Sequence, residues 1–423
     1  MPEQIKINNN ITLHYIPMTK LKTSTLSVFI HRPLNEEESS YNALLPYVLK
    51  RGCKLCPSIE ETAKYLEELY GASLYASVTK RGEDHVMYFY GETISDKYTP
   101  DNEPLTERLT SLMMSVLFEP KVNDDAFNDE VIAQEKNNAV NRINALINDK
   151  RSYASIRCQT EMCRGENFAV SRLGSVDGIN SITPASLYKH YKKIITSSVI
   201  DFYICGEADI EKVADKIRSY ISSMNFTAAS IPTTCLLKKD SPQQNINEKL
   251  NVTQGKLAIG FRTSTSINDT DMPAMQVFNS IFGSGAHSKL FNNVREKLSL
   301  AYYASSQLDK FKGLCIVNAG IEFENYQKAL DETLVQLEDI KAGKISDLEF
   351  DSSINAIVNS YNSYLDDQFS LQLYYLDEEI AGTDMDISQR IDAIKSVTKN
   401  DVMHAAQKLK LDTVYFLTGK ENE

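Results

Sequence analysis

The chain is written twice. A first copy opens at residues 26–31 with the alternating apolar run LSVFIH, then a polar loop, the helical run YNALLPYVLKRG and a second helix ETAKYLEELYG. Two strands follow, SLYASVTK and HVMYFYGE, joined by a turn. From residue 257 the order recurs: LAIGFR, a polar loop, PAMQVFNSIFGSG, KLFNNVREKL, SLAYYASSQ, a turn at Lys312 and Gly313, and LCIVNAGIE. Each copy runs on through long helical segments and closes on a strand, VIDFYICGEAD in the first and TVYFLTGK in the second. Period-two runs make strands and longer 3.6-period runs make helices, so each copy reads as one α+β domain. The expected fold is two homologous domains, each a mostly antiparallel sheet packed by helices on one side. We expect a first domain over residues 1–226, a linker over 227–248 with Pro232, Pro242 and no clear period, and a second domain over 249–423. A length of 423 residues suits two or three domains. Ser58 with Glu61 and Ser346 with Glu349 spell capping boxes, and Thr183–Pro184 a helix start.

Composition narrows the function. A hydrophobic fraction of 42% with 24% charged residues belongs to a soluble globular chain. The formal net charge of -12 argues against nucleic acid as the main partner, because phosphate binding needs clustered Lys and Arg. It favours basic or unstructured peptides instead. No apolar run reaches the ~18 residues of a membrane span. The start MPEQIKINNN has neither an apolar signal core nor an Arg-rich amphipathic pattern, which places the protein in the cytoplasm as an expectation. Seven scattered cysteines read as reduced thiols; Cys53 and Cys56 form a lone CxxC with no second pair to complete a zinc knuckle.

The second copy carries GSGAHSKLFNNVREKLSLAYY over residues 283–303. Taken singly, its Arg295 fits a surface ion pair and its Tyr302 fits half-buried sheet packing as well as they fit a site. As a whole the segment closely resembles the C-terminal-domain signature of pitrilysin and insulinase family metallopeptidases. The resemblance implies that Arg295 and Tyr302, seven residues apart, hold the substrate backbone and supply donors to a developing oxyanion. His287, just before the Arg295 helix, is a further candidate for substrate contact, with an exposed loop histidine as the plainer reading.

The same resemblance calls for the inverted zinc motif HxxEH in the first copy. Alignment on Gly52, which closes the helix, puts the motif positions on Ala43, Pro46 and Tyr47. Both histidine ligands are missing and proline stands where the general base belongs. Pro46, without a backbone N–H, is expected in the first turn of its helix or as a distortion within it. A later ligand survives: VIAQE ends on Glu135. One carboxylate cannot hold a catalytic zinc, which needs three protein ligands and an open position. Nor do His14, His31, His85, His190, His287 and His404 rebuild the site, since no two lie three to five residues apart. Other clusters read plainly: Glu36–Glu38 as a solvated loop, Asp377, Glu378 and Glu379 as an exposed helix face, and the tyrosines of YNSYLDDQFSLQLYY as core or interface.

Loss of the zinc motif with retention of the Arg/Tyr pair is similar to the inactive member of bacterial two-subunit peptidases. The implied function is a zinc-less subunit that clamps a peptide with Arg295 and Tyr302 in a composite site. No cofactor is expected in this chain; zinc is expected in a partner that bears HxxEH. The alternative is a non-enzymatic peptide-binding, scaffold or regulatory protein acting as a homodimer. A self-sufficient peptidase with an unusual metal site is disfavoured by the ligand count.

Overall fold

The computed structural model describes residues 2–236 and 243–419. Contacts divide the chain into two compact units: Met1–Asn144 with Val170–Thr233 and Tyr364–Ile380, and Ala145–Ala169 with Thr234–Ser363 and Ala381–Glu423. Neither unit is continuous; each takes in a segment that the chain order would assign to its neighbour.

The first unit is built on six strands: β1 (Glu3–Lys6), β2 (Ile11–Pro17), β3 (Thr23–Pro33), β4 (Ser73–Arg81), β5 (Asp84–Ile94) and β6 (Val199–Gly206). The second has five: β7 (Gln244–Leu250), β8 (Gly255–Arg262), β9 (Ala301–Asp309), β10 (Leu314–Ile321) and β11 (Lys410–Gly419). Their orders are β1-β2-β6-β3-β5-β4 and β7-β11-β8-β10-β9. Without the β1 hairpin the two are the same sheet. In each, a first strand runs parallel to the last, β2 to β6 and β7 to β11, and every other pairing is antiparallel. The repeat in the sequence is therefore a repeat of topology. Strands β1 and β7 carry too few apolar residues to be read from the sequence, whereas the ITLHY alternation of β2 does mark a strand and was missed. β7 also takes Gln244–Glu248 out of the expected linker; positions 237–242 of that linker, Pro242 included, lie outside the described residues.

The helices are α1 (Glu36–Leu49), α2 (Ile59–Glu68), α3 (Leu105–Phe118), α4 (Asp129–Ala145), α5 (Lys150–Met162), α6 (Val176–Ser181), α7 (Pro184–Ser197) and α8 (Ile210–Ile221). They continue with α9 (Met272–Gly283), α10 (Tyr326–Lys341), α11 (Asp347–Tyr364), α12 (Gln368–Ala381), α13 (Ile387–Lys395) and α14 (Lys399–Gln407). Side chains alternate across a strand, so Leu26, Val28 and Ile30 of β3 point together into the core shared with Leu44, Leu45 and Val48 of α1. The opposite face of β3 is buried too. There Gln372 of α12 receives the Ser27 hydroxyl and donates to Thr25 Oγ1 (3.0 Å) and the Tyr203 carbonyl (3.2 Å). In the second unit α5 plays the matching part, packing Ala154 and Cys158 against Ala258 and Tyr415. It lies so close that a Cβ on Gly260 of β8 would come within 2.8 Å of the Met162 sulfur.

Ser58 accepts from the Glu61 amide, one arm of the expected box; Ser346 and Glu349 each accept from the other's amide; and Thr183 caps α7 with Pro184 at its first position. Two readings of charge need correction. Glu36–Glu38 are the first turn of α1, not a loop, and Glu38 is buried. Arg32 grips its carboxylate with two bonds of 2.8 and 2.7 Å, and Lys193 adds a third at 2.7 Å. Burial raises the Glu38 pKa, but these cations outweigh it and hold the group below its ordinary range. The acidic stretch of α12 is not an exposed face either: Asp377 pairs with Arg81 at 2.7 Å and Glu378 is buried, leaving only Glu379 outside. Period alone could not show it, because the helix covers a sheet face that itself carries polar groups. Tyr361 and Tyr374 are buried, as the plainer reading has it.

Candidate functional site

Two places were singled out by the signature residues, one in each unit. In the first unit Ala43, Pro46 and Tyr47 all lie on α1. Pro46 sits inside the last turn rather than the first, and the Lys50 amide still reaches its carbonyl at 3.3 Å. The proline removes the one bond its own amide would have made to Asn42. Ala43 is buried in the core, so its side chain offers nothing to a ligand.

Tyr47 is half-buried, with its hydroxyl 3.3 Å from Ser77 Oγ of β4. The Arg142 guanidinium, from α4, lies 3.8 Å from the centre of the Tyr47 ring, a cation–π contact. About two helical turns earlier on α4, the buried Glu135 carboxylate has an ion-pair partner: Arg51 Nε at 3.1 Å. Asn138 adds a side-chain bond at 3.3 Å. Lys50 donates to the Leu74 carbonyl at 3.1 Å; burial lowers its pKa, and Glu135 opposes the shift.

This arrangement does not fit zinc. The carboxylate that a metal would need is neutralised by Arg51, and a second guanidinium lies over the tyrosine at the position of a histidine ligand. Like charges at such range disfavour a dication strongly. Among the described residues no group of three or more His, Cys, Asp or Glu is placed to hold an ion. Cys53 and Cys56 belong to a buried turn: the Cys53 amide donates to the Cys56 carbonyl at 2.9 Å, and the Cys56 amide to Cys53 Sγ at 3.4 Å. Burial pushes the Cys56 thiol up to about 11, away from the thiolate a metal requires.

The second unit presents the opposite character. Arg295 lies on a segment of π-helix, Leu290–Lys297, wound wider than an α-helix; the Leu298 amide reaches back five residues to the Asn293 carbonyl at 3.1 Å. Ser299, in the link to β9, has φ 50°, a left-handed conformation uncommon for a residue with a Cβ. Strand β9 then starts irregularly. Tyr303 pairs with Gly320 and Ala301 with Ile321, so Tyr302 is an extra residue, a β-bulge. Gly320 must be glycine here, since a Cβ would stand 2.4 Å from the Tyr303 ring. Tyr303 turns inward beneath Arg151, 4.3 Å from its ring centre, while Tyr302 is thrown outward and left 60% exposed.

The Arg295 side chain is 41% exposed, its guanidinium over Phe291 and its Nε 3.5 Å from Glu296. Tyr302 donates its hydroxyl to the Glu322 carboxylate, which raises the phenol's pKa by holding its neutral form. Among the described residues no hydrogen bond or ion pair joins Arg295 to Tyr302. His287 is half-buried rather than loose: its Nε2 lies 2.9 Å from Ser353 Oγ of α11 and 3.2 Å from Ser280 Oγ of α9. Burial lowers its pKa.

One cluster escaped the sequence. His14, Asp201, His31 and Asp84 form a buried chain across β2, β6, β3 and β5, with His14–Asp201 at 3.0 Å, His31–Asp201 at 3.2 Å and His31–Asp84 at 2.6 Å. His14 stacks on Tyr203 at 4.3 Å. These residues come together only through strand register, which no spacing along the chain encodes.

The strand order used twice defines the class, a two-domain α+β fold shared with M16-like peptidases. Residues 181–357 match the Peptidase M16 inactive domain. The chain is 37% identical over 414 residues to the "Probable inactive metalloprotease YmfF" of Bacillus subtilis, covering 98% of this chain and 97% of that protein. The solved structure of a conserved protein from Enterococcus faecalis superposes over the full length of both chains, with a TM-score of 0.90 at 29% identity. That of a protease from Helicobacter pylori does so over 99% of each, with a TM-score of 0.82 at 15% identity, a likeness of fold alone. The chain belongs to the M16 peptidase family, as an inactive, metallopeptidase-like member. No helix among the described residues is long and apolar enough to cross a membrane.

Proposed function

We propose that this chain is the zinc-less subunit of a two-chain peptidase, in which Arg295 and Tyr302 bind the peptide carbonyl beside a zinc held by an HxxEH-bearing partner. The observation that carries the reading is the pair of backbone irregularities at the signature: a π-helix under Arg295 and a bulge at Tyr302. Both devices re-aim side chains and cluster at functional sites. They leave both side chains open to solvent, a charged and a neutral donor whose present partners, Glu296 and Glu322, are themselves exposed and exchangeable. The partner's zinc would polarise the water and its glutamate take the proton; this chain would supply positioning and charge. His287, tied between α9 and α11, would brace the segment that carries Arg295.

The test is co-purification with an HxxEH relative from the same organism, followed by peptide cleavage by the pair and by each chain alone. Cleavage by the pair only, in a 1:1 complex, is the expected result. A stable homodimer that ignores the relative overturns the reading in favour of a scaffold.

A further inference from the structure

Both signature side chains carry a carboxylate of the chain's own, and the two are not alike. Glu296 is the next residue after Arg295 and follows it wherever it goes. Glu322 is brought to Tyr302 by the sheet: β10 ends at Ile321, paired to Ala301 across the bulge, and the backbone stays extended through Glu322 before the short turn Phe323–Asn325. Bulge and strand end therefore set this carboxylate against this hydroxyl. Both groups are open to solvent. Nothing forces the contact as burial would, and an exposed hydrogen bond of this kind is easily replaced.

We propose that Glu322 is a specificity-determining residue: it holds the Tyr302 hydroxyl at rest and releases it when a lysine or arginine of a bound peptide takes the carboxylate. The proposal rests on the reading of Arg295 and Tyr302 as peptide-carbonyl donors. An ammonium or guanidinium is a stronger partner for a carboxylate than a neutral phenol. The exchange leaves Tyr302 with an unspent O–H, the donor that the peptide carbonyl needs. The surroundings suit the same ligand. Phe323, the next residue, is 38% exposed and presents a ring to the alkyl stem of such a side chain, and Glu324 beyond it is exposed as well. Recognition of a basic residue and arming of the tyrosine then become one event.

The full-length chain would be titrated with fluorescent peptides that differ at one position only: lysine, norleucine or glutamate. The parent protein is expected to bind the lysine peptide about three- to fivefold tighter than the norleucine peptide, the size of an exposed ion pair. Glu322→Gln should erase that preference while binding the norleucine peptide at least as well. Tyr302→Phe should weaken all three. If Glu322→Gln keeps the preference while Tyr302→Phe weakens binding, the inference fails and the reading of the pair stands. If Tyr302→Phe changes nothing, the reading itself fails. A second readout is independent of peptide: in an absorbance titration one tyrosine, identified by its loss in Tyr302→Phe, should ionise at lower pH in Glu322→Gln. An unmoved titration overturns the contact on which the proposal depends.

Discussion

The dismantled metal position and the Arg295 segment differ in the way a filled socket differs from an open one. Around Tyr47 the helix runs on through Pro46 with the loss of one bond, the core reaches Ala43, and Glu135 has its own arginine. Around Tyr302 the backbone departs from regularity at Leu290–Lys297, at Ser299 and at the bulge, and the side chains face solvent. Strain and exposure cost stability, so they persist where something else requires them. A region free to drift would settle toward the first pattern. The contrast is between a position closed by core packing and ion pairs and a segment left irregular and open, and the second is what the proposed role of Arg295 and Tyr302 requires.

The most damaging test of that contrast is Arg295→Ala. In a reconstituted pair it should lower turnover by about one to three orders of magnitude, as loss of one oxyanion donor does. Its effect on unfolding should stay within about 0.5 kcal/mol, the range of surface substitutions. An unchanged rate would place Arg295 among ordinary surface residues and remove the distinction.

On the other side, Arg51→Ala should cost about 2 kcal/mol in urea unfolding, because it leaves the Glu135 carboxylate buried without its partner. The double change Arg51→Met with Glu135→Met should recover most of that. A metal graft sharpens the same point. Ala43→His, Pro46→Glu and Tyr47→His should fail to bind stoichiometric zinc by elemental analysis, and succeed once Arg51→Leu and Arg142→Leu are added. Zinc binding by the first graft alone would show that the guanidiniums do not block the position.

How much of this was legible beforehand follows from what each feature depends on. The repeat, the strand pairs around each turn and the caps at Ser58, Thr183 and Ser346 depend on neighbours in sequence, and they were read correctly. Glu38, Asp377 and the His14–Asp201–His31–Asp84 chain depend on which strands lie side by side, so they were misread or missed. The bulge at Tyr302 belongs to the second group. Only Gly320, where the Tyr303 ring leaves no room for a Cβ, left a mark of it, and a single glycine in a strand does not say which neighbour bulges.

The buried chain gives a pH test. Burial alone would lower the His31 pKa, but Asp84 and Asp201 outweigh it and raise the value from 6.5 to about 10. Its contribution to stability is therefore complete below 6.5 and lost as pH climbs toward 10. Asp84, raised by burial, loses its contribution in the same direction. Asp201 is held down at about 2 by His14 and His31 against burial, so its contribution is present above 3.8 and lost as pH falls toward 2. The unfolding midpoint should be highest between these limits and decline from pH 6.5 to 10; His31→Asn should flatten that decline. Activity of the reconstituted pair lost in parallel with the midpoint would tie the loss to folding of this chain.

The smallest expected effect separates two tyrosines. The Tyr47 hydroxyl shares a hydrogen bond with Ser77 at 3.3 Å and its ring lies under Arg142; Tyr302 gives its hydroxyl to an exposed carboxylate. Tyr47→Phe keeps the ring and removes one half-buried hydrogen bond, so it should cost under about 1 kcal/mol of stability and leave peptide turnover unchanged. Tyr302→Phe should do the reverse, sparing stability and lowering turnover. Measured side by side, the two substitutions remove the same atom from a closed position and from an open one. If both were silent in turnover, Tyr302 would carry no more function than Tyr47, and the bulge would need another explanation.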